Sequence, residues 1–179
     1  MRGAFSRIAL LAGVLGCALT LSAQITAHIG AGISVPIGDI SSQRQLGAGV
    51  SAGGGYNFGP HFSVMVDFGS NSLSVAPALQ KVLPFTSDTI WSFSLNPYFR
   101  FNTGHRYQPY VSGGYGVYSV HTELSGEKSV LKGGVNMGGG LALQISEDSS
   151  IYFEARLNSV SRERVNVSFI PFIVGFRWR

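Results

Sequence analysis

The sequence predicts an all-β fold, an eight-stranded antiparallel up-and-down transmembrane β-barrel preceded by a signal peptide. Three observations predict it: an apolar N-terminal segment, alternation of apolar and polar residues along the remaining chain, and connections that alternate between short and long. The composition agrees, because only 12% of the 179 residues are charged and 45% are hydrophobic, whereas soluble domains carry about 25% charged residues. This balance excludes intrinsic disorder and is unlike the surface of a soluble enzyme.

Residues 1–23 have the layout of a secretory signal peptide. Two arginines precede an apolar stretch over residues 8–21, and the small residues Ser22 and Ala23 close it. The apolar stretch is shorter than the roughly 20 residues that a membrane-spanning helix needs. We therefore expect cleavage after Ala23 and a mature domain over residues 24–179.

The single cysteine, Cys17, lies inside this segment and leaves an alternative open. Residues 14–17 loosely resemble a lipoprotein signal, which would leave an acylated Cys17 at the new N-terminus. The apolar run continues past Cys17, which favours cleavage after Ala23 and a mature chain without disulfides or thiol chemistry. Loss of the two leader arginines lowers the formal net charge from +4 to +2, so we expect no nucleic-acid partner.

Four strands are predicted in the first half of the mature chain from the two-residue period that places alternate side chains on opposite faces. The alternation is faint in the first strand. The second has apolar residues on one face and almost only Gly, Ser and Asn on the other. The third alternates from Phe62 to Gly69, and the fourth from Trp91 to Phe101. In chain order these strands cover 25–36, 46–57, 62–70 and 90–101.

The second half of the chain predicts four more strands. The fifth has large residues on both faces, the sixth alternates faintly, and the seventh alternates from Ile151 to Asn158. In the eighth, the apolar phase changes near Ile170 and Pro171, which predicts a β-bulge there. In chain order these strands cover 108–120, 132–145, 150–159 and 165–178.

The connections between the predicted strands alternate in length. Short turns are expected at 59–61, 102–106 and 146–149, and longer, more polar segments at 37–45, 71–89, 121–131 and 160–164. Short turns on one side and long loops on the other are typical of outer-membrane barrels. An even number of strands places both termini on the side of the short turns, so the long loops face outward and would carry any ligand specificity.

The two faces of the strands predict different surroundings. An outer face in lipid needs apolar residues with an aromatic belt at each interface, whereas the lumen of an eight-stranded barrel is filled by side chains. Inward charges would need to pair, because an unpaired charge in so narrow a space is costly. The lumen candidates are Asp67, Arg100, Glu154 and Arg156, and the belt candidates are Tyr56, Phe58, Trp91, Phe99, Phe101, Tyr107, Tyr110, Tyr152 and Trp178.

Several segments, in their order and spacing, resemble the OmpA/opacity-like outer-membrane β-barrel family. They are the Asn-Pro-Tyr-Phe-Arg-Phe run at 96–101, the Gly- and Tyr-rich run at 109–116, and residues 138–141, 152–156 and 174–178. The resemblance implies insertion by the barrel-assembly machinery with periplasmic chaperones, and contact with outer-membrane lipid and lipopolysaccharide. It further implies a C-terminal insertion signal at Gly175, Phe176 and Trp178, in which Trp178 replaces the family's usual terminal Phe and Arg179 follows. A peptidoglycan-binding domain is not expected after the barrel.

The sequence contains no complete catalytic or metal-binding motif. The histidines His28, His61, His105 and His121 show no metal-ligand spacing, and no cofactor is expected. His121-Thr122-Glu123 comes nearest to the His-Ser pattern of lipid A deacylases but lacks the serine. The four lumen candidates Asp67, Arg100, Glu154 and Arg156 are open to interpretation as an acid–base pair or a gated ion path, although a polar plug of the lumen is favoured.

Four functions remain open at this point. We expect a non-enzymatic outer-membrane protein with a structural or surface-interaction role through its loops. The alternatives are a narrow pore or channel, favoured if the inward charges fail to pair, a lipid-modifying enzyme of the outer membrane, and a soluble secreted barrel.

Overall fold

The structure, a computed structural model, describes residues 24–41, 44–75, 87–122, 130–161 and 167–179. Eight long strands make up most of these residues, and the predicted signal peptide, Cys17 and much of the predicted 71–89 loop lie outside them. The strands are β1 (Ile25–Ile37), β2 (Gly47–Asn57), β3 (Phe62–Val75), β4 (Ser87–Arg100), β5 (Tyr107–Thr122), β6 (Val130–Gln144), β7 (Ser149–Val160) and β8 (Val167–Trp178). A 3-10 turn, Gly38–Ile40, and a two-residue strand, Arg44–Gln45, lie between β1 and β2.

The eight strands close into an antiparallel barrel. Each long strand pairs with its neighbours in sequence, and β1 pairs with β8, which places Ala27 opposite Trp178. Closure leaves no sheet edge, so the strands satisfy one another's backbone groups, as a lipid environment requires. The predicted up-and-down barrel is confirmed. No helix in the described ranges is long and apolar enough to cross a membrane.

The hairpin of β3 and β4 is longer than predicted. The alternation predicts that the third strand ends at residue 70 and that the fourth begins at 90, but the ladder continues from Asn71 opposite Ile90 to Ser74 opposite Ser87. Backbone pairing needs no apolar alternation, so the serine-rich stretch after Ser70 extends the hairpin although its composition suggests a loop.

The predicted bulge in the last strand is wrong. Pairing of β8 with β1 is continuous, with Pro171 opposite Ser34 and no shift of register. Val167 and Phe169 are buried in the lumen while Phe172 and Val174 face outward, all within one alternation. The apparent change of phase arises because the lumen itself is apolar at the loop end.

Two clusters of buried, mostly apolar side chains fill separate layers of the lumen, one at the loop end and one nearer the short turns. Leu73, Ile90, Tyr118, Val120, Val160, Val167 and Phe169 pack together toward the long loops. Met65, Tyr98, Tyr110, Ala142, Tyr152 and Ile173 pack toward the short turns. The polar side chains described below lie between and beyond these two clusters.

Tyr110 and Tyr152 correct the predicted aromatic belt. Both are only 2% exposed and face the lumen, whereas the other candidates, apart from the half-buried Tyr56, are exposed on the outer face. Each of these lumen tyrosines lies over a glycine of the adjacent strand, Tyr110 over Gly140 and Tyr152 over Gly175, where a Cβ atom would clash with the ring. The many glycines therefore make room for large inward side chains.

Candidate functional site in the barrel lumen

Arg156 in β7 forms the centre of the polar lumen. Its Nη1 lies 2.7 Å from Asp67 Oδ2 across the barrel, and its Nη2 lies 2.6 Å from Glu154 Oε1. The side chains of all three residues are buried. Alternation along β7 sends Glu154 and Arg156 to the same face, and the closed barrel brings β3 opposite them. One guanidinium group thus pairs with two carboxylates.

Neutral donors hold the two carboxylates in place. Asn96 Nδ2 donates to Asp67 Oδ2 at 2.7 Å, and the Tyr98 hydroxyl donates to the same oxygen at 3.0 Å. The Tyr110 hydroxyl donates to Glu154 Oε2 at 2.9 Å. Arg156 Nη2 also donates to the Tyr98 hydroxyl oxygen. These contacts join β3, β4, β5 and β7 through their side chains.

His28 of β1 completes this network, which we call the central network: His28, Asp67, Asn96, Tyr98, Tyr110, Glu154 and Arg156. The His28 Nε2 lies 3.5 Å from Asp67 Oδ1, and its ring packs edge-on against Tyr152. Gly53 makes space for both side chains, because a Cβ there would lie 2.5 Å from Asp67 Oδ1 and from His28 Cε1. This inward glycine of β2 thereby relieves crowding between the two side chains.

Arg100 does not join the central network. It lies nearer the short turns, where its Nη2 donates to Asn57 Oδ1 at 2.6 Å. Asn57 is held by its own donations to the Gln24 carbonyl at 2.9 Å and to Thr26 Oγ1 at 2.6 Å. Of the four predicted lumen residues, the structure brings Asp67, Glu154 and Arg156 together and leaves Arg100 with a neutral partner.

Arg177 is a lumen residue that the sequence analysis missed. Its guanidinium carbon lies 5.4 Å from the Tyr98 ring centre, 4.9 Å from that of Tyr110 and 5.0 Å from that of Tyr152. Alternation with Phe176 and Trp178 is the signal that places it inward. Arg179 follows at the turn side, where burial and the nearby charge of Arg177 lower the pKa of its guanidinium group.

The loop end of the lumen is closed by the apolar cluster and by an ion pair. Arg44 Nη2 lies 2.5 Å from Asp88 Oδ2, and both side chains are largely buried. Below them, the central network borders a cavity of about 40 Å³ whose lining includes His28, Asp67, Glu154 and Arg156, which is room for a few water molecules.

The arrangement of the lumen side chains favours a structural role over a catalytic one. Arg156 donates a hydrogen bond to Asp67 and forms an ion pair with Glu154, so neither carboxylate is poised as a free base. Among the described residues, no group of three or more His, Cys, Asp or Glu side chains is placed to hold a metal ion. The side chains of His121, Thr122 and Glu123 lie outside the described part of the structure.

The two aromatic residues of the predicted insertion signal lie on the outer face of β8. The Phe176 and Trp178 rings are exposed and 5.8 Å apart, and Gly175 lies against the Tyr152 ring. This places two aromatic residues at the turn-side rim, where a membrane interface favours them. Their part in barrel insertion stays a prediction.

An apolar aromatic exterior, a closed antiparallel ladder and a side-chain-filled lumen define an outer-membrane β-barrel protein. The family model described as "Outer membrane protein beta-barrel domain" matches residues 8–179. The chain therefore belongs to this family, whose members reside in the bacterial outer membrane. No curated protein matches the chain.

Solved structures share this fold at low sequence identity. Neisserial surface protein A is 13% identical, with 86% of this chain and 96% of that chain covered and a TM-score of 0.67. The outer membrane protein OprG of Pseudomonas aeruginosa is 11% identical over 86% and 94%, with a TM-score of 0.56. The attachment invasion locus protein Ail of Yersinia pestis is 19% identical over 87% and 98%, with a TM-score of 0.54. At these identities the likeness shows the fold alone.

Proposed function

We propose that this chain is a non-enzymatic outer-membrane scaffold that presents its long loops for structural or surface interactions. The filled lumen is the observation that carries this proposal. Arg156 pairs with both Asp67 and Glu154 in the middle of the barrel, and the apolar cluster around Phe169 closes the loop end. A barrel interior that is paired and packed in this way supports rigidity rather than transport or catalysis.

A filled lumen leaves two surfaces for interaction, and they differ in chemistry. The outer wall is apolar, with exposed side chains such as Phe93 and Leu95 in the middle of β4, and suits lipid and lipopolysaccharide. The loop-side connections at 38–46, 76–86, 123–129 and 161–166 are mostly longer than the turns at 58–61, 101–106 and 145–148. Variable loops on a rigid scaffold are where binding specificity resides.

Export and assembly form part of this proposal. A signal peptide over residues 1–23, cleaved after Ala23, would deliver the chain to the periplasm. Periplasmic chaperones and the barrel-assembly machinery would then insert it, with Phe176 and Trp178 as part of the insertion signal. The resemblance to other outer-membrane barrels supports these partners, and no nucleic acid is among them.

The proposed topology predicts opposite accessibility for the two ends of the barrel. An epitope placed within residues 76–86 should be labelled by antibody on intact cells, because that connection lies at the loop end. The same epitope placed within the turn at 102–105 is the matched control and should be labelled only after the outer membrane is permeabilised. Labelling of the turn epitope alone on intact cells would reverse the topology and contradict the proposal.

A further inference from the structure

The turn-side end of the lumen holds three arginines that lack a carboxylate partner. Arg100 ends β4, Arg177 lies near the end of β8, and Arg179 follows it. Arg100 and Arg177 are only 2% and 6% exposed. Across the described residues, none of the three forms an ion pair with an Asp or Glu side chain.

Neither buried guanidinium group is in direct contact with a carboxylate of the described residues, although the Glu154 carboxylate acts electrostatically on Arg177. Arg100 donates through Nη2 to the Asn57 amide oxygen, and Arg177 lies over the faces of tyrosine rings. Three of their nitrogen atoms, Arg100 Nε and Arg177 Nε and Nη2, have no acceptor in the protein. A buried charge with unsatisfied donors is costly unless an opposite charge compensates it.

A small cavity joins these donors. Its lining includes Arg100, Arg177, Arg179, Gln108 and Gln144, and its volume is about 10 Å³, which is room for one particle of about the size of a water molecule. Glu147 and Asp148 also border it, but both are exposed in the turn. A wider cavity of about 420 Å³ shares Gln108, Gln144, Glu147 and Arg179 with it and leads toward the turn side.

We propose that this cavity binds a single small inorganic anion of the halide class between Arg100 and Arg177. A halide is one atom that accepts N–H donors from several directions, and it is closer in size to a water molecule than a phosphate or a carboxylic acid is. The anion provides an opposite charge and an acceptor beside Arg100 and Arg177, as Asp67 and Glu154 provide them beside Arg156 in the middle of the barrel. Arg179 adds positive charge at the mouth, and the wider cavity provides the route from the periplasm.

Bromide is the probe, because it is a halide and scatters anomalously. Crystals of the refolded barrel grown in sodium bromide should show an anomalous peak between the guanidinium groups of Arg100 and Arg177. Absence of a peak at that position, with bromide peaks only on the surface, would overturn the proposal.

Unfolding in solution provides a second measurement. Urea unfolding of the barrel in micelles is compared in sodium chloride and in sodium gluconate. The two solutions have equal ionic strength, so electrostatic screening is the same in both. They differ in the size of the anion, and only chloride is small enough for the cavity. A ligand that binds only the folded state lowers the unfolding equilibrium constant about tenfold at ten times its Kd. We expect this saturable decrease in chloride and not in gluconate.

Three variants separate the site from general salt effects. Arg177→Gln should lose the chloride dependence. The matched control is Arg106→Gln, at an exposed residue that lines the wider cavity but not the small one, and it should keep the dependence. Gln108→Glu places a carboxylate in the same cavity and should also lose the dependence while the barrel still folds, so the test survives if Arg177→Gln fails to fold. A chloride dependence that persists unchanged in Gln108→Glu or Arg177→Gln would refute the halide site.

Discussion

The Arg156→Gln variant should lose about 3–5 kcal/mol of folding free energy, the magnitude expected when one partner of a buried ion pair is removed. The substitution leaves Asp67 and Glu154 buried on opposite sides of the lumen without their shared cation. It also removes a donor to the Tyr98 hydroxyl, which links the two carboxylates. Urea unfolding in micelles or vesicles measures the loss.

Two comparisons make this result specific to the central network. Arg106→Gln removes the same charge from an exposed turn position and should change the stability by no more than about 0.5 kcal/mol. The triple variant Asp67→Asn, Glu154→Gln, Arg156→Gln removes all three charges and should recover much of the loss, because an uncompensated charge costs more than an absent pair. Equal stability of Arg156→Gln and Arg106→Gln would contradict the account of the lumen.

Phe93→Arg should destabilise the inserted barrel by about 2–4 kcal/mol, the cost of a cation at the bilayer midplane. Phe93 lies in the middle of β4 and is 55% exposed on the outer face, so its replacement faces hydrocarbon rather than the lumen. Refolding and unfolding in phospholipid vesicles is the required measurement, because micelles adapt to a charge more readily than a bilayer.

Phe101→Arg is the matched control for depth. Phe101 is exposed on the same wall but lies just beyond the turn-side end of β4, where an arginine should cost only about 0–1 kcal/mol. The ratio of the two effects therefore measures depth in the membrane. Equal effects at both positions would show that the middle of β4 does not face lipid.

Alternation along single strands predicted which residues of the central network face inward. Asp67, Glu154 and Arg156 are all in the inward phase of their strands, and that phase is a local property of the chain. Their contact is not local, because Arg156 and Asp67 are 89 positions apart and meet only after the barrel closes. The depth of Arg100 in the lumen depends on the same closure and was therefore not predictable from its strand alone.

Tyr110 and Phe169 show why the packing of the lumen could not be predicted from single strands. A tyrosine on a strand with large residues on both faces suits an interface belt and a lumen equally well. The residue opposite it on the neighbouring strand decides which way the ring faces. Tyr110 lies opposite Gly140, and the glycine leaves space for the ring inside the lumen. Phe169 suggested a bulge because an apolar residue was assumed to face lipid, whereas at the loop end it packs inside the lumen.

Single-channel recording in planar lipid bilayers tests the central claim, a lumen closed by the central network and the apolar cluster, most directly. The purified barrel, shown to be inserted by its heat-modifiable gel mobility, should give no sustained openings. Steady openings of the wild-type barrel that vanish in Arg100→Ala would contradict a closed lumen and establish the narrow-pore alternative.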